Sequence, residues 1–208
     1  MVYAAVVFDL DYTLVEIRRE YAAGTFIHTF KELGYDCSEE DGMQLWNGDH
    51  DRRDFILSVG ITTQDFWRVY HKYDRLEQRL LNASAYPDSS VVKDLNQKGY
   101  KIGVVTGSSD KIARAQLKLV EGSFDSVVSV SSRFPGQTKP NPIGLLACLQ
   151  ELGVNSDDAI YVGNADEDIL MAQNACVPGV LIQRDGYIPR SRPSRIITDL
   201  SQLLEIVK

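Results

Sequence analysis

Three shortages narrow the sequence before any motif is read. Cysteine is the first: Cys37, Cys148 and Cys176 are odd in number, far apart and without a CxxC pair, which excludes a disulfide framework and a structural zinc site of the usual spacing. Cys148 lies on the apolar helical stripe from Leu145 to Leu152, and all three thiols are expected to pack rather than react. Basic tracts are the second. Lys plus Arg number 22 against 29 Asp plus Glu, a net charge of −7, and no run suits the neutralisation of a phosphate backbone, so nucleic acid is not an expected partner. Long apolar runs are the third. The residues before Asp9 are apolar but number eight, with no basic start and no small-residue cleavage site. Neither a signal peptide nor a membrane span is expected, and the default is a soluble cytoplasmic protein. Internal repeats and low-complexity stretches are also missing, which sets aside repeat arrays and disordered tails.

What remains is ordinary globular material. Hydrophobic residues make up 44% and charged residues 25% of 208 positions, enough for a substantial core in one large domain or one domain carrying an insertion. Val2 to Phe8 is an apolar run rich in β-branched residues, and its lack of alternation suits a strand buried on both faces of a parallel sheet. Tyr100 to Val105, Val127 to Val130, Ala159 to Val162 and Gly179 to Ile182 repeat the pattern. Helical periodicity fills the gaps at Ser89 to Lys98, Asp110 to Val120, Pro142 to Leu152 and Asp166 to Asn174, with Leu200 to Val207 closing the chain. This alternation predicts an α/β fold with a doubly wound parallel sheet, whose ligands sit beyond the carboxyl ends of the strands.

The stretch from residue 16 to 86 breaks the alternation and reads as an inserted helical domain, leaving 1–15 and 87–208 as the α/β core. Its expected helices are Ile17 to Leu33, Ser38 to Trp46, Asp49 to Val59 and Thr63 to Asn82, punctuated by Gly34, Gly48 and Gly60. Ser38 with Asp41 three residues on has the pattern of a helix start. Arg18, Arg19, Arg52, Arg53, His28 and His50 are charged candidates for ligand contact in this insertion, and solvated helix faces account for such charges equally simply. Phe66, Trp67, Tyr70 and Tyr73 recur near helical spacing, as packing residues do.

Four clusters fall at strand ends. Asp9-Leu10-Asp11-Tyr12-Thr13 follows the first strand and brings out two carboxylates and a hydroxyl; a turn with Asx and Thr caps uses the same residues. Thr106 closes the strand from Lys101 and precedes Gly107-Ser108-Ser109, which is an anion site or a helix N-cap. Lys139 stands in Thr138-Lys139-Pro140-Asn141-Pro142, a stiffened loop ahead of a helix, where a lysine is either functional or merely solvated. Gly163-Asn164-Ala165-Asp166-Glu167-Asp168 follows a fourth strand, and its acids also suit a helix N-terminus. Two acids, a hydroxyl, an ammonium and a second acidic group at one sheet edge are the set needed for phosphoryl transfer through a carboxylate nucleophile.

In order and spacing these clusters resemble the haloacid dehalogenase superfamily of phosphohydrolases, in its phosphoglycolate-phosphatase-like branch with a helical cap. DxDxT is matched by Asp9, Asp11 and Thr13, the strand-closing hydroxyl by Thr106, the KPxP lysine by Lys139, and the terminal acidic cluster by Gly163 to Asp168. The resemblance implies a Mg²⁺-dependent phosphatase in which Asp9 is the nucleophile and Asp11 the general acid and base. Thr106 and Gly107 would bind the phosphoryl oxygens, and Lys139 would neutralise both nucleophile and phosphate. Asp9, Asp11, Asn164 and Asp168 would hold the metal, with the Leu10 carbonyl nearby. It further implies a cap that closes over the crevice and a small phosphorylated metabolite as substrate, the protein being monomer or homodimer.

One position departs from the family pattern: Asn164 stands where the family has a metal-binding Asp. An amide oxygen ligates Mg²⁺ without charge, so weak metal affinity is expected unless Asp166 or Asp168 compensates. Asn164 leans toward a dehalogenase, but Asp11 opposes it, because the dehalogenases lack that acid. A phosphomutase uses the same residues, a receiver-type signalling module shares the acids and lysine but not the DxD spacing after the first strand, and a catalytically weak phospho-ligand binding protein is the remaining alternative.

Overall fold

A computed structural model describes residues 3–48, 52–184 and 188–208. The chain runs β1 (Ala5–Phe8), β2 (Val15–Ile17), α1 (Arg19–Glu32), α2 (Glu39–Asn47), α3 (Arg52–Ser58), α4 (Thr63–Tyr73), α5 (Leu76–Leu81) and β3 (Ala83–Ala85). It continues through α6 (Val91–Gln97), β4 (Lys101–Thr106), α7 (Asp110–Gln116), β5 (Ser126–Ser129), α8 (Val130–Arg133) and α9 (Ile143–Leu152). The last elements are β6 (Ala159–Gly163), α10 (Asp166–Asn174), β7 (Gly179–Ile182), β8 (Arg195–Ile197) and α11 (Leu203–Ile206). Two compact units result, Met1–Glu16 with Ser84–Lys208, and Ile17–Ala83. No helix of the described residues is long and apolar enough to cross a membrane.

The first unit is a six-stranded, all-parallel sheet of order β5-β4-β1-β6-β7-β8 flanked by helices. It is the α/β architecture that the alternation predicts. Ala5, Val7, Val105, Ala159 and Tyr161 share one apolar cluster with Leu145, Cys148 and Leu149 of α9 and Met171 and Ala172 of α10. The β-carbons of a strand alternate between faces, so Val6, Ile102, Val104 and Ile160 lie on the opposite side, and they too are fully buried. Both faces of the central strands are therefore covered, which is why their sequences are apolar without alternation. β8 escapes sequence reading because it is three residues long and lies at the sheet edge, with two residues exposed. Cys148 is a core residue whose thiol is pushed up to about 12, chiefly by burial. Cys176 departs from the expected packing: it is exposed, in a left-handed turn after α10.

The second unit is helical. Its core joins Phe26 and Phe30 of α1, Leu45 of α2, Ile56 of α3, Ile61, and Phe66 and Tyr70 of α4. The expected long helix Thr63 to Asn82 is two helices, broken at Asp74 and Arg75. The break turns the Asp74 carboxylate inward, where Arg79 donates to it from Nε (2.9 Å) and Nη2 (2.7 Å) and Tyr21 from its hydroxyl (2.9 Å). Ile17 belongs to β2 rather than to α1. Arg52 is a structural residue here, donating to the carbonyls of Leu45 and Trp46 at the end of α2. Residues 49–51, including His50 and the expected start of the third helix, lie outside the described residues, as does Val2.

Candidate active site

The sheet order sets β1 between β4 and β6, with Phe8 level with Val104 on one side and Val162 on the other. The chain segments leaving these three strands therefore emerge side by side at one carboxyl edge. Asp9 is the first residue past β1 and still belongs to the ladder, donating its N–H to the Val162 carbonyl at 2.8 Å. Beyond it the chain turns sharply. The Leu10 carbonyl accepts from the amides of Thr13, Leu14 and Val15, and Tyr12 takes φ 59°, a left-handed conformation that costs a non-glycine residue about 1 kcal/mol or more. The Leu10 carbonyl thus serves the turn. Thr13 is brought back against Asp9, its hydroxyl 3.4 Å from Oδ2.

Asp9 is buried, 7% exposed. Its Oδ1 accepts from Lys139 Nζ at 2.5 Å, and the same ammonium donates to Asp168 Oδ1 at 2.7 Å. Asp168 takes four hydrogen bonds in all: Lys139 and the Tyr161 hydroxyl (3.0 Å) on one oxygen, the amides of Asn164 and Ala165 (both 3.1 Å) on the other. It caps α10 and anchors the lysine at once. Gly163 makes the approach possible, since a Cβ there would lie 2.4 Å from Asp168. Tyr161 looks like one more core aromatic in sequence; only its hydroxyl, aimed at Asp168, marks it as part of the site.

Burial raises Asp9 to about 7, reinforced by Asp168 and Asp11 and opposed by Lys139. Burial alone would lower Lys139, but Asp168 and Asp9 outweigh it and hold the ammonium well above its usual value. Two buried carboxylates thus share one buried cation.

The expected residues divide into two groups: Asp9, Lys139, Asp168 and Asn164 are joined to one another, and Asp11 and Thr106 meet at Ser108. Asp11 turns to the β4 side, accepting from Ser108 Oγ on Oδ2 and Gln116 Nε2 on Oδ1, both at 2.8 Å. Thr106 is 1% exposed and its hydroxyl accepts from the Ser108 amide at 3.1 Å, while Gly107 is exposed with open space where a Cβ would stand. Asn164 Oδ1 lies 3.3 Å from the Thr13 hydroxyl. Of the expected metal set of Asp9, Asp11, Asn164 and Asp168, Asp168 accepts from four protein donors and Asp11 accepts from Ser108 and Gln116. Asp166 is engaged as well, by the amides of Arg190 (3.0 Å) and Ser191 (2.8 Å). Among the described residues no three His, Cys, Asp or Glu side chains form a metal cage. A smaller set does suit a hard cation. The single Thr13 proton serves two acceptors, Asp9 Oδ2 and Asn164 Oδ1, so one oxygen is always without it, and Mg²⁺ needs only one or two protein oxygens because it keeps several waters.

The chain is 27% identical over 220 residues to pyrophosphatase PpaX of Halalkalibacterium halodurans, covering 97% of this chain and 95% of that protein. It is 27% identical over 205 residues to phosphoglycolate phosphatase of Aquifex aeolicus, covering 92% and 94%. A Bacteroides fragilis protein described as a haloacid dehalogenase-like hydrolase shares the fold with TM-score 0.82 and 22% identity, over 97% of this chain and 99% of that one. The sequence profile of the haloacid dehalogenase-like hydrolases matches residues 6–182, from β1 through β7. That match spans every strand that contributes to the site, and the chain belongs to the haloacid dehalogenase-like hydrolase family.

Proposed function

We propose that the chain is a Mg²⁺-dependent phosphatase of a small phosphorylated metabolite, working through an aspartyl-phosphate on Asp9. The observation that carries this reading is the buried Asp9 carboxylate, with Lys139 on one oxygen and an acid, Asp11, held separately two residues on. Lys139 fixes the rotamer of Asp9 and offsets the repulsion between carboxylate and incoming phosphate. A carboxylate oxygen of Asp9 attacks phosphorus while the bond to the leaving oxygen breaks, and that oxygen takes a proton from Asp11. Thr106 and the open backbone at Gly107 receive the phosphoryl oxygens. Asp11, now a carboxylate, then takes a proton from water, which attacks phosphorus, frees Asp9 and releases inorganic phosphate. Asp9 and Asn164 would hold Mg²⁺, which supplies positive charge against the phosphoryl oxygens when bound.

Unit Ile17–Ala83 is proposed to be the cap that selects the leaving group, and the cytoplasm to be the place of action. The names of the two relatives supply the first substrates to try, pyrophosphate and phosphoglycolate, within a wider panel of phosphorylated metabolites. Hydrolysis of an aryl phosphate is expected to need Mg²⁺ and to fall at least about 10⁴-fold in Asp9→Asn. Undiminished turnover after exhaustive chelation would remove the metal from this mechanism, and retained activity in Asp9→Asn would remove the nucleophile.

A further inference from the structure

Gln116 has no place in any of the sequence motifs, yet it is completely buried at the end of α7 and points its amide at Asp11. Its Nε2 donates to Asp11 Oδ1 at 2.8 Å, while its Oε1 is buried with no hydrogen-bond partner. Leaving an amide oxygen unsatisfied in the interior costs on the order of 1–3 kcal/mol, and an apolar side chain of the same length would avoid it. The second oxygen of Asp11 is held by Ser108 Oγ, and Ser108 is itself fixed by three contacts: its amide to Thr106 Oγ1 (3.1 Å), its carbonyl to Ser129 Oγ (2.7 Å), and its own hydroxyl to Asp11 (2.8 Å).

We propose that Gln116 is the positioning residue of the acid–base group, setting the plane of the Asp11 carboxyl so that one lone pair faces the leaving oxygen. Ser108 and Gln116 each put a donor on one oxygen and together set the rotation of the carboxyl; loss of the Gln116 bond removes one of these two restraints. The inference rests on Asp11 being the general acid and base. It also explains why the side chain is an amide. Asp11 gives up a proton in the first half of the reaction and regains it in the second. Nε2 serves the carboxylate, and a half-turn of the amide presents the unpartnered Oε1 to the protonated form. A lysine, with donors only, would serve one state only.

The test uses a ratio that a merely structural role would not move. Nitrophenolate leaves as an anion and needs little protonation, whereas an alkoxide needs a full proton from Asp11. Gln116→Met, which keeps length and loses the donor, is expected to lower kcat/KM about tenfold or more for an alkyl phosphate and less than about threefold for nitrophenyl phosphate, with most of the loss in kcat rather than KM. Both substrates see the same preparation, so a partly unfolded fraction cancels. Gln116→Leu, which also lacks the donor and brings no second carboxyl to Asp11, gives the same ratio change if Gln116→Met is poorly folded. Equal losses on the two substrates in both variants overturn the proposal. Asp11→Asn separates the layers: a leaving-group-dependent loss there with none in the Gln116 variants removes Gln116 alone, whereas equal losses in Asp11→Asn remove the acid assignment together with the inference built on it.

Discussion

The two units bury charge in opposite ways. Among the described residues of Ile17–Ala83 the buried charges are paired: Asp74 and Arg79, with side chains 7% and 3% exposed, meet in a two-point contact. Tyr21 adds a donor and the guanidinium lies 4.5 Å from the centre of the Trp46 ring. In the α/β unit two buried carboxylates, Asp9 and Asp168, compete for one lysine, and Asp9 is lifted to about 7 mainly by its burial. Desolvating an ion costs several kcal/mol, and only a partner with good geometry offsets it. The helical unit follows that rule; the sheet edge breaks it. Surplus negative charge in an interior attracts a cation, the place that the proposed function gives to Mg²⁺.

The contrast predicts that substitutions at the two places affect different observables. Asp9→Asn should show the largest effect of all, the loss of at least about 10⁴ in turnover, with no fall in the thermal midpoint measured without metal, because it removes a charge the interior holds at a cost. A clear drop in that midpoint would mean that the sheet edge is as balanced as the helical unit. Asp74→Asn should act the other way round. It takes the Asp74 charge away from the buried Arg79 guanidinium, at a cost of about 3–5 kcal/mol in denaturant unfolding, while turnover of the remaining folded protein stays near that of the parent. Replacing both partners with apolar residues of similar volume should recover most of that stability. Failure of the double variant to recover would show that the pair is more than a satisfied ion pair.

The core strands were legible because burial on both faces of a parallel sheet leaves an unbroken apolar run, as in Ala5–Phe8 and Gly179–Ile182. The carboxyl-edge residues were legible for a related reason: a polar cluster directly after such a run must emerge at that edge. What the pattern missed depended on tertiary partners. The break after Tyr73 has no glycine or proline, and it exists because Asp74 finds Arg79 and Tyr21. Tyr161 and Gln116 occupy positions that periodicity assigns to packing, and only the atoms at their tips, aimed at Asp168 and Asp11, distinguish them. Adjacency in sequence does not reveal which acids already have protein donors; Asp166 and Asp168 carry their own backbone and side-chain donors.

Asn164 offers a smaller and more graded adjustment of the comparison. Asn164→Asp adds a carboxylate beside Thr13 and Asp9, making the edge still more acidic. The Mg²⁺ concentration for half-maximal activity should fall about tenfold, because ligand charge sets affinity, and the metal-free protein should unfold at a lower temperature than the parent. Unchanged metal dependence would mean that Asn164 is outside the coordination sphere and that the surplus charge is compensated by substrate handling alone.

The smallest expected effect belongs to the helical unit, at a place where charge is exposed rather than buried. Ser38 caps α2 by accepting from the Asp41 amide at 3.1 Å, and the Asp41 carboxylate returns a bond to the Ser38 amide at 3.3 Å. Both residues are at the surface, so no desolvation opposes the interaction and its value is that of an ordinary capping box. Ser38→Ala should therefore cost about 1 kcal/mol in unfolding, against the several expected for Asp74→Asn a short distance along the same chain. Turnover should not change. If Ser38→Ala proved as damaging as Asp74→Asn, the stability of this unit would depend on its helix ends rather than on its buried pair, and the contrast with the sheet edge would have to be drawn between exposed and buried polar groups instead of between balanced and unbalanced ones.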